Sequence, residues 1–175
     1  MRILGLVLRN DLRWRSNTDS MVRRAYSRIW MIKRLKRAGA NLEDLTEVYI
    51  KQIRSVLEFG VPVWNSGITQ DEILDIERVQ KTFLYIVLGS DYVCYENALD
   101  VANLETLQSR RHTLCQRFAS KTAKHPKHHH WFQKSNTAKA YTRSKKFDYK
   151  QPLCRLSRFK RSPVPYLTNL LNSKQ

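Results

Sequence analysis

The sequence predicts a mainly α-helical fold: a small helical bundle, preceded by a short β-hairpin and followed by an irregular basic tail. Between about residues 18 and 121, apolar residues recur at helical spacing rather than alternating along the chain. Capping and stop residues separate these runs at short intervals, a pattern typical of antiparallel helices with short connections. After about Lys127 this periodicity fails, and Lys, Arg, Ser and Thr dominate. With 175 residues the chain is long enough to bury a core.

Residues 1–15 are predicted to form the hairpin. The apolar run Ile3–Leu8 is followed by a turn signal at Asn10 and Asp11, and Leu12–Trp14 would be the return strand. Because an isolated two-stranded hairpin is only marginally stable in water, it should lean on helices or on a further sheet. The apolar run starts at once, which favours a preceding segment in the ancestral protein.

The helical bundle is predicted over residues 16–126, with a tail over 127–175. The first helix should run from Thr18 to Ala38, with Thr18 or Asn17 as its cap and Gly39 as its stop. Further helices are expected from Asn41 to Gly60, from Thr69 to Gly89, from Tyr95 to Ala102 and from Thr106 to His125. One short final helix, Tyr166 to Leu171, is expected within an otherwise mostly extended tail.

A structural corner is predicted between the second and third of these helices. Gly60 ends the second helix, and Pro62 disfavours a helical Val61, so an extended segment should follow. Trp64 is expected to fill a gap between helices. Thr69 and Glu72 then form a capping box that starts the third helix.

Charge is distributed unevenly along the chain. The net charge is +17, made up of +9 over residues 1–40, −8 over 41–105 and +16 over 106–175. Such an excess favours a polyanionic partner, most often nucleic acid. The alternative is that the basic flanks dock on the acidic centre, although this would neutralise only part of the charge.

Candidate nucleic-acid contacts lie in three basic clusters, and part of the first is ordinary chemistry of a helix C-terminus. The fifth helix should point its basic residues outward, and the tail interleaves basic residues with Tyr141, Phe147, Tyr149 and Phe159, as phosphate-binding and base-stacking segments do. The same composition is equally typical of a disordered tail. The candidates are Arg23, Arg24, Arg28, Lys33, Arg34, Lys36, Arg37, Arg110, Arg111, Lys145, Lys146, Arg158, Lys160 and Arg161.

No pattern in the sequence indicates a self-sufficient active site, a metal site or a cofactor. The acid pairs Glu43-Asp44 and Asp71-Glu72 stand in predicted first helical turns, where capping explains them. The histidines near residue 128 lack a second ligand cluster, so a solvated loop is favoured. The three widely spaced cysteines predict reduced, partly buried thiols. Without a signal peptide or a transmembrane run, we expect an intracellular protein, nuclear or cytoplasmic.

An ordered set of segments resembles the C-terminal part of a non-LTR (LINE-type) retrotransposon reverse transcriptase. The set covers nearly the whole chain, and it is specific as an ordered series rather than piece by piece. Its segments are Leu4–Leu8, Leu12–Trp14, Arg34–Gly39, Ile53–Trp64, Glu77–Lys81, Leu104–Arg111 and Ser162–Asn172.

The resemblance implies that Leu4–Trp14 is the hairpin at the end of the palm and that the helices form the thumb. In that family the thumb holds the template–primer duplex through its backbone. The metal-binding aspartates of the palm lie upstream, and this chain has no Asp-Asp pair, so no catalytic residue is carried over. The expectation is a reverse transcriptase fragment that binds RNA/DNA duplex without being an enzyme on its own.

Other interpretations of the sequence stay open. The acidic centre and basic arms could serve protein docking or self-association, and the chain could be a truncated element, a gene-prediction fragment, a recruited remnant or a non-functional one. Residues 1–40 also loosely resemble a segment found with some alkylated-DNA-repair dioxygenase homologues. That chemistry needs two histidines and a carboxylate on iron, and no His-x-Asp occurs here.

Overall fold

A computed structural model of the chain describes residues 1–135 and 148–173, and it confirms the predicted fold class. The sheet is a two-stranded antiparallel hairpin formed by β1, Arg2–Ile3, and β2, Leu6–Val7. The α-helices are α1 (Arg15–Arg37), α2 (Leu42–Val48), α3 (Ser55–Leu57), α4 (Val61–Trp64), α5 (Gln70–Leu88), α6 (Tyr95–Val101), α7 (Leu107–Lys124), α8 (Ser157–Lys160) and α9 (Pro163–Asn172).

The chain divides into two compact units. The first contains Met1–Gly60 and Ile68–Arg111, and the second contains Val61–Gly67 and His112–Gln175. This division differs from the linear scheme of hairpin, bundle and tail, since residues 61–67 group with the C-terminal part of the chain.

The hairpin turns earlier than the sequence predicts. Ile3 pairs with Leu6 across a turn at Leu4 and Gly5, which have φ angles of +47° and +88°. The predicted return strand at residues 12–14 is therefore wrong, because Gly5 supplies the left-handed conformation that a tight turn needs. The amide of Val7 donates to Oδ1 of Asn17 at 3.1 Å, which ties the hairpin to α1.

Helix α1 starts at Arg15 and has no side-chain cap, so the predicted start at a Thr18 or Asn17 cap is wrong. Both residues are buried inside the helix. Asn17 holds the hairpin, and the Thr18 hydroxyl donates to Oε1 of Glu72 at 3.0 Å. Their polar side chains serve tertiary contacts instead of the helix end.

The second helical segment begins and ends where the sequence predicts. Asn41 caps α2 by accepting a 2.7 Å hydrogen bond from the amide of Asp44. A π-helical stretch over Tyr49–Arg54 joins α2 to α3. Gly60 follows with a φ of +67°, and a Cβ there would lie 3.1 Å from a methyl group of Leu6.

Helix α5 packs against α1 and forms the centre of the first unit. Its predicted capping box is present: the Thr69 amide donates to Glu72 at 2.8 Å, and the Glu72 amide donates back to Thr69. Gly89 ends the helix as expected. The ring of Phe83 stacks on that of Tyr49 with centroids 4.1 Å apart.

The predicted extended corner at residues 61–64 is wrong, because these residues form the short helix α4 in the second unit. Pro62 stands in the first turn, where a missing N–H leaves no helical hydrogen bond unmade. Trp64 is fully buried, as predicted. Helix α4 packs against α9, and the Asn65 amide group donates to the Tyr166 hydroxyl at 3.2 Å.

The C-terminal part is more helical than predicted, because α9 runs over Pro163–Asn172 and buries Leu167 and Leu170. The Asn172 side chain makes two hydrogen bonds to the backbone of Tyr149, at 3.1 and 3.0 Å.

Thr106 caps α7 as predicted, by accepting a hydrogen bond from the amide of Ser109 at 3.1 Å.

Candidate nucleic-acid interface

Four side chains on the solvent side of α1 form a line that we call the outer stripe: Arg23, Trp30, Arg34 and Arg37. Their spacing of seven, four and three residues keeps them within about 60° on a helix that turns ~100° per residue. All four are exposed, and Trp30 has 54% of its surface open to solvent. Met21, Ala25, Ile29 and Ile32 occupy the opposite, buried side. The stripe is thus the polar face of a helix whose apolar face is fixed in the core.

The guanidinium of Arg34 lies over the indole of Trp30, 5.6 Å from the ring centroid. A cation at this distance is attracted by the negative face of the ring, and the contact restrains both side chains. The stripe therefore combines charge with an ordered aromatic surface.

Within the parts of the chain that the structure describes, no carboxylate pairs with Arg23, Arg34 or Arg37. The neighbouring Lys33 is also exposed and has no acidic partner there. The Nε of Arg24 donates to the carbonyl of Ser20 at 3.3 Å, on its own helix. No ion pair among the described residues therefore neutralises these cations.

Two of the α1 candidates are used inside the first unit. Arg28 donates to the carbonyl of Gln52, and Nζ of Lys36 donates to the carbonyl of Ile86 at 2.6 Å. The sequence could have indicated that Lys36 faces the protein interior, because it stands four residues after the buried Ile32 and therefore shares its helix face. These two side chains stabilise the packing of α1 and are poor candidates for ligand contacts.

Arg110 and Arg111 do not project from α7 as predicted. Arg110 forms ion pairs with Glu58 and, at 3.5 Å, with Glu105. Arg111 is only 1% exposed. Arg54 lies 3.5 Å from Glu58, and burial, with the neighbouring Arg110 charge, lowers the pKa of its guanidinium. Both α7 candidates therefore contribute to the packing of the first unit.

The described tail candidates form a separate basic patch in the second unit. Arg158 and Lys160 are exposed on α8, and Arg161 follows at its end. Phe159 stands among them with 44% of its surface exposed. The remaining candidates, Lys145 and Lys146, lie outside the described residues, as do Tyr141 and Phe147.

Two polar residues of α5, Glu77 and Gln80, form a buried network in the first unit, a packing role that the sequence did not predict for them. Glu77 accepts hydrogen bonds from the Tyr95 hydroxyl and, at 3.0 Å, from the Leu107 amide. Gln80 accepts from the Tyr49 hydroxyl at 2.8 Å and donates to Tyr95 at 3.0 Å. The network joins α5 to the π-helical stretch, to α6 and to α7, so its role is structural.

In residues 1–135 and 148–173, no group of three or more histidine, cysteine or acidic side chains is arranged to hold a metal ion. The ring of His125 stacks on that of His128, with centroids 4.9 Å apart, and His128 lies against Trp131.

No helix in the described residues is long and apolar enough to cross a bilayer. No family model, curated protein or solved structure matches the chain.

Proposed function

We propose that the chain is the C-terminal, thumb-like part of a non-LTR retrotransposon reverse transcriptase and that it binds RNA/DNA duplex through the phosphate backbone without catalysis. The ordered set of shared segments supports the origin. The outer stripe is the observation that carries the binding, because its three arginines are exposed and have no described acidic partner. In this proposal the protein acts inside the cell, in the nucleus or the cytoplasm.

The stripe has dimensions that suit a polyanion. From Arg23 to Arg37 the helix advances 14 residues, or about 21 Å at ~1.5 Å per residue. A DNA duplex rises ~3.4 Å per base pair along its axis, so this length corresponds to about six base-pair steps. A helix anchored through Lys36 and Arg28 presents the charges on a rigid rod. Such contacts position a ligand without reading its sequence.

A salt series on the full chain tests the proposal. Binding of a fluorescently labelled RNA–DNA hybrid is measured by anisotropy for wild type and for the variant Arg23→Gln/Arg34→Gln/Arg37→Gln. A matched control, Arg117→Gln/Lys121→Gln/Lys124→Gln, removes the same number of positive charges from exposed positions of α7.

The stripe variant should lower the slope of log K against log salt by about 1 for each lost phosphate contact, about 3 in all. The control should keep the slope closer to that of wild type, because none of its charges belongs to the outer stripe. Absence of wild-type binding at low salt, or affinity that ignores salt, would refute the proposal. Equal losses in both variants would refute the role of the stripe.

A second candidate function, protein docking or self-association without catalysis, is favoured by one groove of the first unit. The groove has a volume of about 640 Å³ and is bordered by Leu42, Glu43, Glu47, Ile50 and Val101. Apolar side chains beside exposed carboxylates suit a basic, partly apolar protein segment. Light scattering with and without nucleic acid separates the two functions: a stable oligomer that ignores nucleic acid would favour this one.

A further inference from the structure

Trp30 is an unusual residue for the middle of a basic stripe. More than half of its surface is exposed, although a tryptophan carries one of the largest apolar surfaces of any side chain. The other large aromatic residue beside the stripe, Tyr26, is less exposed at 39%, and its hydroxyl lies 3.5 Å from that of Thr82 on α5. Among the described residues, Trp30 has no such hydrogen bond to another helix. Its ring instead contacts the guanidinium of Arg34, another member of the stripe.

Phosphate binding alone does not require an indole at this position. Arginines suffice for phosphates, and an isolated exposed apolar residue needs no explanation. Trp30, however, lies between Arg23 and Arg34 on one helix face, and the Arg34 contact orders its ring. A cationic face that surrounds an accessible aromatic ring is the arrangement by which proteins stack nucleobases while holding the adjoining phosphates.

We propose that the outer stripe binds nucleic acid with an unpaired nucleotide, whose base stacks on Trp30 while Arg23, Arg34 and Arg37 contact the flanking phosphates. This inference rests on the proposed function and specifies its ligand. Bases inside a duplex cover each other's faces, so stacking on the indole requires an unpaired base. The preferred ligand is therefore a duplex that continues into a single strand, or a single strand itself, rather than a blunt duplex.

The test compares three labelled ligands of equal length on the full chain: a blunt RNA–DNA hybrid, the same hybrid with a single-stranded overhang, and the single strand. Each is titrated with wild type, Trp30→Ala, Trp30→Phe and the control Trp131→Ala. Trp131 is the matched control because it is also an exposed tryptophan, at 44%, but lies in the second unit. Circular dichroism checks that each variant is folded.

Loss of one base stack should weaken Trp30→Ala about 5-fold to about 150-fold on the overhang and single-strand ligands. Its affinity for the blunt hybrid should stay near that of wild type, and the salt slope should not change because no charge is removed. Trp30→Phe should recover most of the affinity, since it restores a ring. Trp131→Ala should bind all three ligands as wild type does.

Three outcomes would overturn the inference and leave the proposed function standing. In the first, Trp30→Ala binds all three ligands as wild type does, or loses the same factor on each. In the second, wild type binds blunt and overhang ligands equally well. A Trp30→Ala variant that changes only the oligomeric state seen by light scattering would assign the indole to contact between copies, and would also overturn it. Failure of wild type to bind any ligand at low salt would instead refute the proposed function.

Discussion

Replacing Gln80 by leucine should destabilise the first unit by about 2–4 kcal/mol. The side chain is fully buried and makes three hydrogen bonds. Its amide oxygen accepts from the Tyr49 hydroxyl at 2.8 Å, and its NH₂ group donates at 3.0 Å to the Tyr95 oxygen and at 3.0 Å to the carbonyl of Glu105. Leucine has similar size, so the change removes polar partners rather than volume.

The magnitude follows from what each partner loses. Tyr49 is fully buried, and Gln80 is the hydrogen-bond partner of its hydroxyl, so that group would cost about 1–3 kcal/mol when unpaired. Tyr95 still donates to Glu77, and Glu105 is exposed enough for water to reach it. These two bonds therefore contribute at the low end, about 0.5 kcal/mol each.

A double-mutant cycle separates this cost from general disruption. Tyr49→Phe removes the hydroxyl and keeps the ring that stacks on Phe83. When both partners are apolar no buried group is left unpaired, so Tyr49→Phe/Gln80→Leu should be about 1–2 kcal/mol more stable than the sum of the two single changes. Urea unfolding followed by circular dichroism measures each free energy of unfolding. Additive effects, or a cost of Gln80→Leu below about 0.5 kcal/mol, would refute the reasoning.

Two further predictions concern a glycine pair and alkaline pH. Gly39 has a φ of +88° and open space around it, so Gly39→Ala should lower the free energy of unfolding by about 1 kcal/mol through backbone strain alone. Gly60→Ala should lower it further, because the new Cβ would also lie 3.1 Å from Leu6. Equal losses of stability in urea unfolding would contradict the contribution of this contact. Burial raises the pKa of the Tyr49 and Tyr95 phenols above the ordinary 10.0, so above about pH 10 the unfolded chain loses protons that the folded chain keeps, and stability should fall as pH rises. Tyr49→Phe should weaken that fall, as measured by urea unfolding at increasing pH; an unchanged dependence would exclude Tyr49 as a cause.

Sequence reasoning worked best where the chemistry is local. The capping box of Thr69 and Glu72, the Asn41 cap and the stop at Gly89 each depend on residues within one helical turn. Side chains a few positions apart determine each of these helix ends, and no distant contact is needed.

The same reasoning failed where a distant partner competes for a side chain. Thr18 is a good capping residue by type, yet Glu72, 54 positions away, takes its hydroxyl into the core. Pro62 marks an irregular segment by the rule for the preceding residue, yet it stands in a helical first turn that packs on α9. Local preferences of about 1 kcal/mol yield to such packing.

For the candidate site, residue type indicated that α1 is strongly basic, but it could not tell which of its cations are exposed and which contact the protein itself. Arg28 and Lys36 carry the same positive charge as Arg34, but they donate hydrogen bonds to the carbonyls of residues 52 and 86. Helical phase alone would have moved Lys36 to the buried side, while Arg28 required knowledge of which segment packs beside α1. Trp30 was missed because its exposure, rather than its type, makes it informative.

The charge pattern of the sequence left two explanations, and the described ion pairs bear on them. If the basic N-terminal flank docked on the acidic centre, its cations should pair with carboxylates of residues 41–105. Among the described residues, Arg15 is the one member of the first forty that does so, through Asp75 at 2.9 Å. Asp75 also pairs with Arg78, and Glu47 pairs with Lys51, both within the centre itself.

The buried carboxylates of the centre are also engaged elsewhere. Glu72 accepts hydrogen bonds from Thr69 and Thr18, and Glu77 accepts them from Tyr95 and the Leu107 amide. Neither carboxylate therefore pairs with a surface arginine among the described residues. The outer stripe therefore keeps its positive field, and packing on the acidic centre does not explain why three arginines share one exposed face of α1. The polyanionic ligand that we propose would explain it, and for that reason the salt slope of the stripe variant, more than the total charge of +17, is the decisive measurement.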